Sequence, residues 1–544
     1  MKYRYFLYLA FLCQGLFAQT TSYKDQLFTE YFRQTGPGWV ASDGTISMPL
    51  PDGRVLWFMG DSYLDNYRAS DNSIPCLFQV RNTILVQDAS NRNKFTTIID
   101  STKTGVERTP VKMKVNDNLF WPNDGYAKGD TAYTFWTQCD NKTMANLGTY
   151  MVKIHWPSLK NAKSIVSFTK LNQLGGMEFG QSVYVDSLSN EVYIYGSKLD
   201  WIVYQPYVAR CSMDNILGKW EFYNGTSWTE DASKAGKILS PVSGEYVSSN
   251  YSVIKAKNKF YLISQEIGFL TSGLGRRVWA WSGDTPYGPF SKKQLIYVIE
   301  DKYKGQYMIT YNGQAHPEFT ENDEILWSYN VNNITPMECN NGRYDADLYR
   351  PKFIRVPFSV LDSGIPFKPE ASFSISPDTG VKVSTPILFD PSLSLSKDNI
   401  LTYFWDFGDG STISTNTYSK TVTHQYTKDG IYHVKLTIVD NESLTDDTIM
   451  TVTVGNTTGI KNKTYSGMLI YPNPTTGKFT VKVPENYLHG QSTIQITNVL
   501  GVPLYHRAII CQETTLDLKD KNGLFFVAVF NENEKCVSKL IVRN

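Results

Sequence analysis

Cysteine is scarce in this chain, seven in 544 residues, and no two stand as a C-x-x-C pair. That absence argues against a zinc site built on thiolates at close spacing. Neither sign of charge is in excess, with 53 Lys+Arg against 52 Asp+Glu. Without a basic block there is no track for a phosphate backbone, so nucleic acid is not an expected partner. No apolar run is long enough to cross a bilayer comfortably, and no transmembrane segment is expected. G-x-G-x-x-G and P-loop fingerprints are missing, which leaves no cofactor motif. Helical periodicity is nearly absent from residue 20 to 360.

What the chain has instead is aromatics, 14% of residues, led by 35 Tyr. They suit β-structure and sugar-stacking surfaces equally. The opening "MKYRYFLYLAFLCQGLFAQT" has a basic start, an apolar run and a small residue at Ala18. It reads as a signal peptide, residues 1–18, cut near Ala18–Gln19. Leu12 before Cys13 is bulky where a lipoprotein signal has a small residue, so lipidation is not expected. Of the remaining cysteines, Cys511 and Cys536 are the pair expected to bridge, since both lie in one small terminal module.

Five times between residues 20 and 360 an apolar run turns through polar residues and returns as an aromatic-rich run. The hairpins are "DGTISMPLPDGRVLWFMGDSY", "NDGYAKGDTAYTFWTQ", "FGQSVYVDSLSNEVYIYGS", "NYSVIKAKNKFYLISQE" and "GQAHPEFTENDEILWSYN". Five such units, each able to make a small antiparallel sheet, predict an all-β chain headed by a five-bladed β-propeller. Two smaller units, at 368–455 and 466–544, follow the linker "VLDSGIPFKPEA", and the resemblances given below imply that both are small β-sandwich domains.

The first hairpin carries an aspartate at the outer end of each strand. If its turn centres on Asp52, Asp43 faces Asp61; a two-residue Asp-Gly turn would set Asp61 opposite Gly44. Facing like charges destabilise a hairpin. They also push their pKa values apart, leaving one group protonated and one ionised, as a general acid beside a base requires. Either aspartate alone reads equally as a turn cap. Asp124 in "WPNDGY" and Glu178 in "GGMEFGQS" open the second and third hairpins, so both are further candidate acids; a turn aspartate and a solvated rim charge are the plain alternatives. His316 and Glu318 open the fifth, where a channel imidazole and a hydrogen-bonded core histidine are competing readings. Trp39, Trp121 and Tyr251, near strand starts, are candidates for stacking on sugars, with packing between sheets the commoner fate. Asn250 and Gln265 face each other on the fourth hairpin and, like Asn312, are candidate hydroxyl ligands.

Four resemblances attach to these motifs. The run D-G-x-x-S-x-x-L-P-D-G-R-x-L-W-x-x-G-D, from Asp43 to Asp61, resembles the first blade of secreted five-bladed propellers once of unknown function. One related group acts as glycoside hydrolases on D-arabinan. That resemblance implies Asp43 and Asp61 as the catalytic carboxylates. A more distant similarity to arabinanase, xylosidase and invertase propellers implies Asp43, Asp124 and Glu178 instead, and by analogy a structural calcium or sodium ion in the channel. The S-x-D-x-G-x-x-W boxes of sialidases are absent. "YFWDFGDGS" with "GIYHVKLTIVD" resembles PKD domains, whose Asp406 and Asp409 equivalents pin turns. "YPNPTTG", "ITNVLG" and "SKLIV" resemble the type IX secretion (Por) C-terminal sorting domain, which implies a Bacteroidota cell, the type IX machinery as partner, and a secreted or cell-surface destination. The expectation is a monomeric, secreted glycoside hydrolase taking a polysaccharide such as an arabinan or other furanose polymer. A non-catalytic carbohydrate-binding or adhesion protein would fit the same layout.

Overall fold

The computed structural model describes residues 21–543 apart from 113–117, 241–244, 269–273, 333–341, 366, 398, 417–419, 442, 456–467, 484–491, 499–502, 510, 519–520 and 531–534. The expected signal peptide therefore lies outside the described residues. The chain forms two units, one running to Thr427 and including Ile431–Val452, the other comprising Lys428–Gly430 and Thr453 onward. Both are β-structure; the described helices include two of six residues each, Gln26–Tyr31 and Phe358–Ser363.

In the first unit, five antiparallel sheets succeed one another along the chain. Their innermost strands are Ile46–Pro49, Leu119–Lys128, Glu178–Asp186, Tyr251–Ala256 and Ile309–Glu321. Each innermost strand lies against that of the next sheet, and the fifth lies against the first. Period-two alternation explains how a sheet serves two neighbours. Every residue of Val55–Met59 is buried. Leu56 and Phe58 point into a core shared with Phe120, Trp136 and Val152 of the second sheet. Val55, Trp57 and Met59 point the other way, against Phe319, Leu326 and Phe353 of the fifth. Similar clusters join second to third, third to fourth and fourth to fifth. The cycle is completed by the chain's own start: Tyr23 and Lys24 pair with Arg355 and Ile354 as the outer strand of the fifth sheet. Asp25 fixes that join by accepting from Arg355 Nε at 2.8 Å.

The first hairpin follows the register centred on Asp52, with Ile46 opposite Phe58 and Pro49 opposite Val55. Gly53, at φ +85°, lets the Pro51–Gly53 turn close without strain. Leu50 N–H donates to Arg54 O at 2.8 Å, and Asp52 accepts from Arg54 Nε at 2.8 Å.

Residues 368–452 add two sheets to the same unit, around a fully buried Trp405 stacked parallel to Phe407. As expected, Asp406 and Asp409 pin turns, accepting from Gly408 N and Ser411 N, each at 2.9 Å. This part is tied to the fourth sheet: Arg277 pairs with Glu266 at 2.5 Å and donates to Ser396 O at 2.6 Å. The second unit holds a three-stranded and a four-stranded sheet around Phe479, Ile496, Val527 and Leu540. The expected Cys511–Cys536 bridge is not formed. Cys511 is a free, exposed thiol that donates to Glu513 O at 3.0 Å, whereas Cys76 is the disulfide-bonded residue.

Replacing Trp57 with alanine empties the core between the first and fifth sheets. It is expected to cost about 3–5 kcal/mol, read as a lower urea midpoint for the first unit.

Candidate active site

A cavity of about 430 Å³ opens where the innermost strands begin, and residues from all five sheets line it. That volume lies within the range of small-ligand sites. Two carboxylates stand on its wall, Asp43 and Glu178, with Trp121, Asn250 and Asn312 among the other side chains.

Asp43 sits at the junction of two short ladders that share one register, Ala41–Tyr63 and Ser42–Ser62 on one side, Ile46–Phe58 on the other. It therefore faces Asp61: its N–H donates to Asp61 O at 3.3 Å and its carbonyl accepts from Gly60 N at 2.7 Å. Gly60 makes room for the acid, because a Cβ there would come within 2.4 Å of Asp43 Oδ1. Burial, reinforced by the negative charge of Asp61, pushes the Asp43 carboxyl up to about 7. The Tyr349 hydroxyl, donating to Asp43 Oδ2 at 3.0 Å, works against that rise. Tyr349 itself stays a neutral phenol, held well above its ordinary value by burial and the Asp43 charge.

Asp61 is also raised by burial, to about 6, but Arg81 opposes the rise from 3.4 Å. Its Oδ1 is buried with no hydrogen-bond partner. It is Gly60, not Asp61, that reaches the cavity wall, so Asp61 acts on the site through its charge. Glu178 is raised by burial and restrained by a hydrogen bond from Asn146, another wall residue.

Asp124 departs from expectation. It is not on the cavity wall. Its two oxygens accept from Gly125 N and Val183 N, each at 2.7 Å, which straps the second innermost strand to the third. Burial raises it to about 7, with Glu318 adding to the effect. Glu318 is likewise raised to about 7 by burial.

Four of the expected sugar contacts are corrected by burial. Trp39 is 2% exposed and packs edge-on to Phe32 at 5.8 Å. Tyr251 is fully buried, its hydroxyl donating to Gly196 O at 2.7 Å. Gln265 turns away from Asn250, donating from Nε2 to Thr310 Oγ1 at 2.6 Å and to Gly275 O at 2.5 Å. His316 is a core histidine: Nδ1 meets Ser47 Oγ at 2.5 Å and Nε2 meets Ser328 Oγ at 2.8 Å. Burial drives it down to about 3, so it remains neutral. Both ring nitrogens of His316 and both oxygens of Asp124 thus have protein partners, whereas Glu318 Oε1 is buried without one. Among the described residues no cluster of three His, Cys, Asp or Glu side chains suits a metal.

Sequence reasoning missed Tyr349, Tyr311, Asn146, Tyr204 and Gln181. Only folding brings Tyr349 to Asp43, and no motif marks it. Gln181 and Asn146, by contrast, lie beside strand starts and the same positional signal applied to Asn250 would have found them.

Five mutually packed sheets with an acid-lined cavity at their inner strand starts define a propeller-like all-β protein, carried on an exported chain. Residues 25–369 match the family described as Domain of unknown function (DUF5005), more than half of the sequence, and the chain belongs to that family. Residues 367–454 match the PKD domain and 469–543 the secretion system C-terminal sorting domain. The sorting domain marks the chain for type IX export, to the cell surface or into the medium. Among solved structures, a protein of Bacteroides ovatus provisionally described as a hydrolase is 22% identical over 64% of this chain and 93% of its own, with a TM-score of 0.53. An α-L-arabinanase mutant of Cellvibrio cellulosa is 10% identical over 58% of this chain and 91% of its own, with a TM-score of 0.33. A microbial collagenase of Vibrio alginolyticus is 32% identical over 139 residues, 24% of this chain. The chain spans 16% of that curated relative's length.

A carboxyl whose pKa rises on folding stabilises the fold below its unfolded value and loses that contribution as pH climbs through the folded value. For Asp43 the window runs from 3.8 to about 7. Asp43→Asn is therefore expected to be more stable than wild type at pH 8, by about 4 kcal/mol. The difference in melting temperature should vanish near pH 4.

Proposed function

We propose that this protein is a secreted glycoside hydrolase whose five sheets are the blades of a propeller, and that it cleaves a polysaccharide with Asp43 and Glu178. The observation that carries the reading is the pair of half-buried carboxyl groups on one cavity wall, neither paired with a lysine or arginine among the described residues. At neutral pH the Asp61 charge favours the protonated form of Asp43, which suits it to protonate the leaving oxygen. Glu178, from the third sheet, then serves as the base that activates water or as the nucleophile at the anomeric carbon. Asn146 orients Glu178 and Tyr349 orients Asp43. Trp121 offers a ring, and Asn250 and Asn312 offer amides for sugar hydroxyls. The hydrolase description of the Bacteroides ovatus protein agrees with this reading, and the substrate class we infer is an arabinan or another furanose polymer.

Sugar release from a panel of arabinans and other glycans tests it. Asp43→Asn and Glu178→Gln should each lower the rate by at least about a hundredfold, the low end of general acid–base contributions. Glycan retention by the wild type with no sugar released from any substrate would make the molecule a binding module instead.

Because the proton donor must be protonated, activity should fall as pH rises through about 7. Asp61→Asn removes the charge that raises Asp43, so the basic limb should move to lower pH. Tyr349→Phe removes the hydrogen bond that steadies the carboxylate, so the limb should move to higher pH. A pH–kcat/KM profile for each variant reads the two directions.

A further inference from the structure

The third sheet carries a hairpin that outruns the rest of it. Strands Glu191–Asp200 and Val203–Ser212 pair down to Asp200 opposite Val203, leaving Trp201 and Ile202 as the loop. The neighbouring innermost strand begins at Glu178, opposite Ser197. Beyond Ser197 the hairpin therefore projects without that partner, past the position of the cavity carboxylate. Four residues separate Ser197 from Trp201, about 13 Å along the strand. Tyr204, on the returning strand, lines the cavity. Its cross-strand partner is Leu199, and such partners share one face of a hairpin. The face that borders the cavity thus continues outward along the projection.

Nothing in the fold explains what stands at the end of it. Trp201 is 85% exposed and Leu199 is 56% exposed. Trp201 also has φ +58°, a left-handed conformation that loops of this kind usually give to Asn, Asp or Gly. For tryptophan that conformation is strained. The projection is nonetheless braced: Asp200 pairs with Lys237 at 2.9 Å, and Lys198 Nζ donates to Gly175 O at 3.4 Å. A strained, uncovered indole on a braced arm that continues the cavity wall is placed for a ligand, not for packing.

We propose that Trp201 is an outlying stacking site for a polysaccharide chain that continues out of the cavity, so that the protein grips several consecutive sugars of a polymer and not a terminal residue alone. The proposal rests on the cavity being a glycan site. The indole offers a flat apolar face to a sugar ring and a polar edge to its hydroxyls, and continuity with Tyr204 sets the direction of the bound chain.

The test uses full-length protein carrying Asp43→Asn, which should hold substrate without cutting it. Affinity is measured against a panel of polysaccharides in gel retardation, and against oligosaccharides of graded length by calorimetry. Adding Trp201→Asn keeps a residue that tolerates the left-handed turn and relieves the strain, so the melting temperature should rise or hold. Affinity for long chains should fall about tenfold, the scale of one aromatic contact, with a smaller loss as the oligosaccharide shortens. Trp201→Phe should recover most of it. Unchanged affinity at every length, or an equal loss at every length, would overturn the proposal while leaving the cavity reading intact. If the Asp43→Asn protein retains no glycan at all, cavity reading and proposal fall together. A gain or loss confined to a protein partner or lipid surface would also overturn it.

Discussion

Each of the five sheets is apolar on both faces, so none can bury its side chains against one neighbour only. The Val55–Met59 strand makes the constraint explicit, sending alternate residues into two different cores. A linear stack would leave two faces in water. The fifth sheet packing on the first removes that exposure, and the Tyr23–Lys24 strand with the Asp25–Arg355 pair fixes the join. Once the sheets form a cycle, the starts of their innermost strands must converge. This is why Asp43, Glu178, Asn250 and Asn312, remote in sequence, line one cavity.

Within that convergence, burial acts on every carboxyl alike and the neighbours divide their roles. Asp61 has an arginine beside it, Asp43 has a phenol and a like charge, and Asp124 has two backbone amides. An amide-bound carboxylate serves as a strap. A carboxylate facing a cavity with no cation stays free to exchange a proton. The same chemical group is strapped to backbone amides or left facing the cavity according to what the adjoining strand presents.

Two residues of the opening have left-handed backbone. Met144 and Asn312, both on the cavity wall, have φ values of +60° and +52°. Non-glycine residues in the left-handed region lower stability, and others, such as Lys257, Lys292 and Asn322, lie away from the cavity wall. The well-packed cores between sheets supply the rigidity that holds such positions in place.

The all-β character, the five hairpins and the Asp52-centred register were legible because alternation and turn chemistry act over a few residues. The sorting and PKD motifs were legible for the same reason. Asp43 and Glu178 were found by position at a strand start, but Asp124, Trp39, Tyr251 and His316 share that position and are buried in straps and cores. Local sequence says where a strand begins and cannot say which way its first side chain turns once another sheet packs on it. The sequence by itself determined the strands, their pairing within hairpins and the export signal at the C-terminus. Closure of the cycle alone decided which acids face the cavity, that Tyr349 meets Asp43, and that Trp201 stands uncovered, because those outcomes depend on contacts between residues hundreds of positions apart.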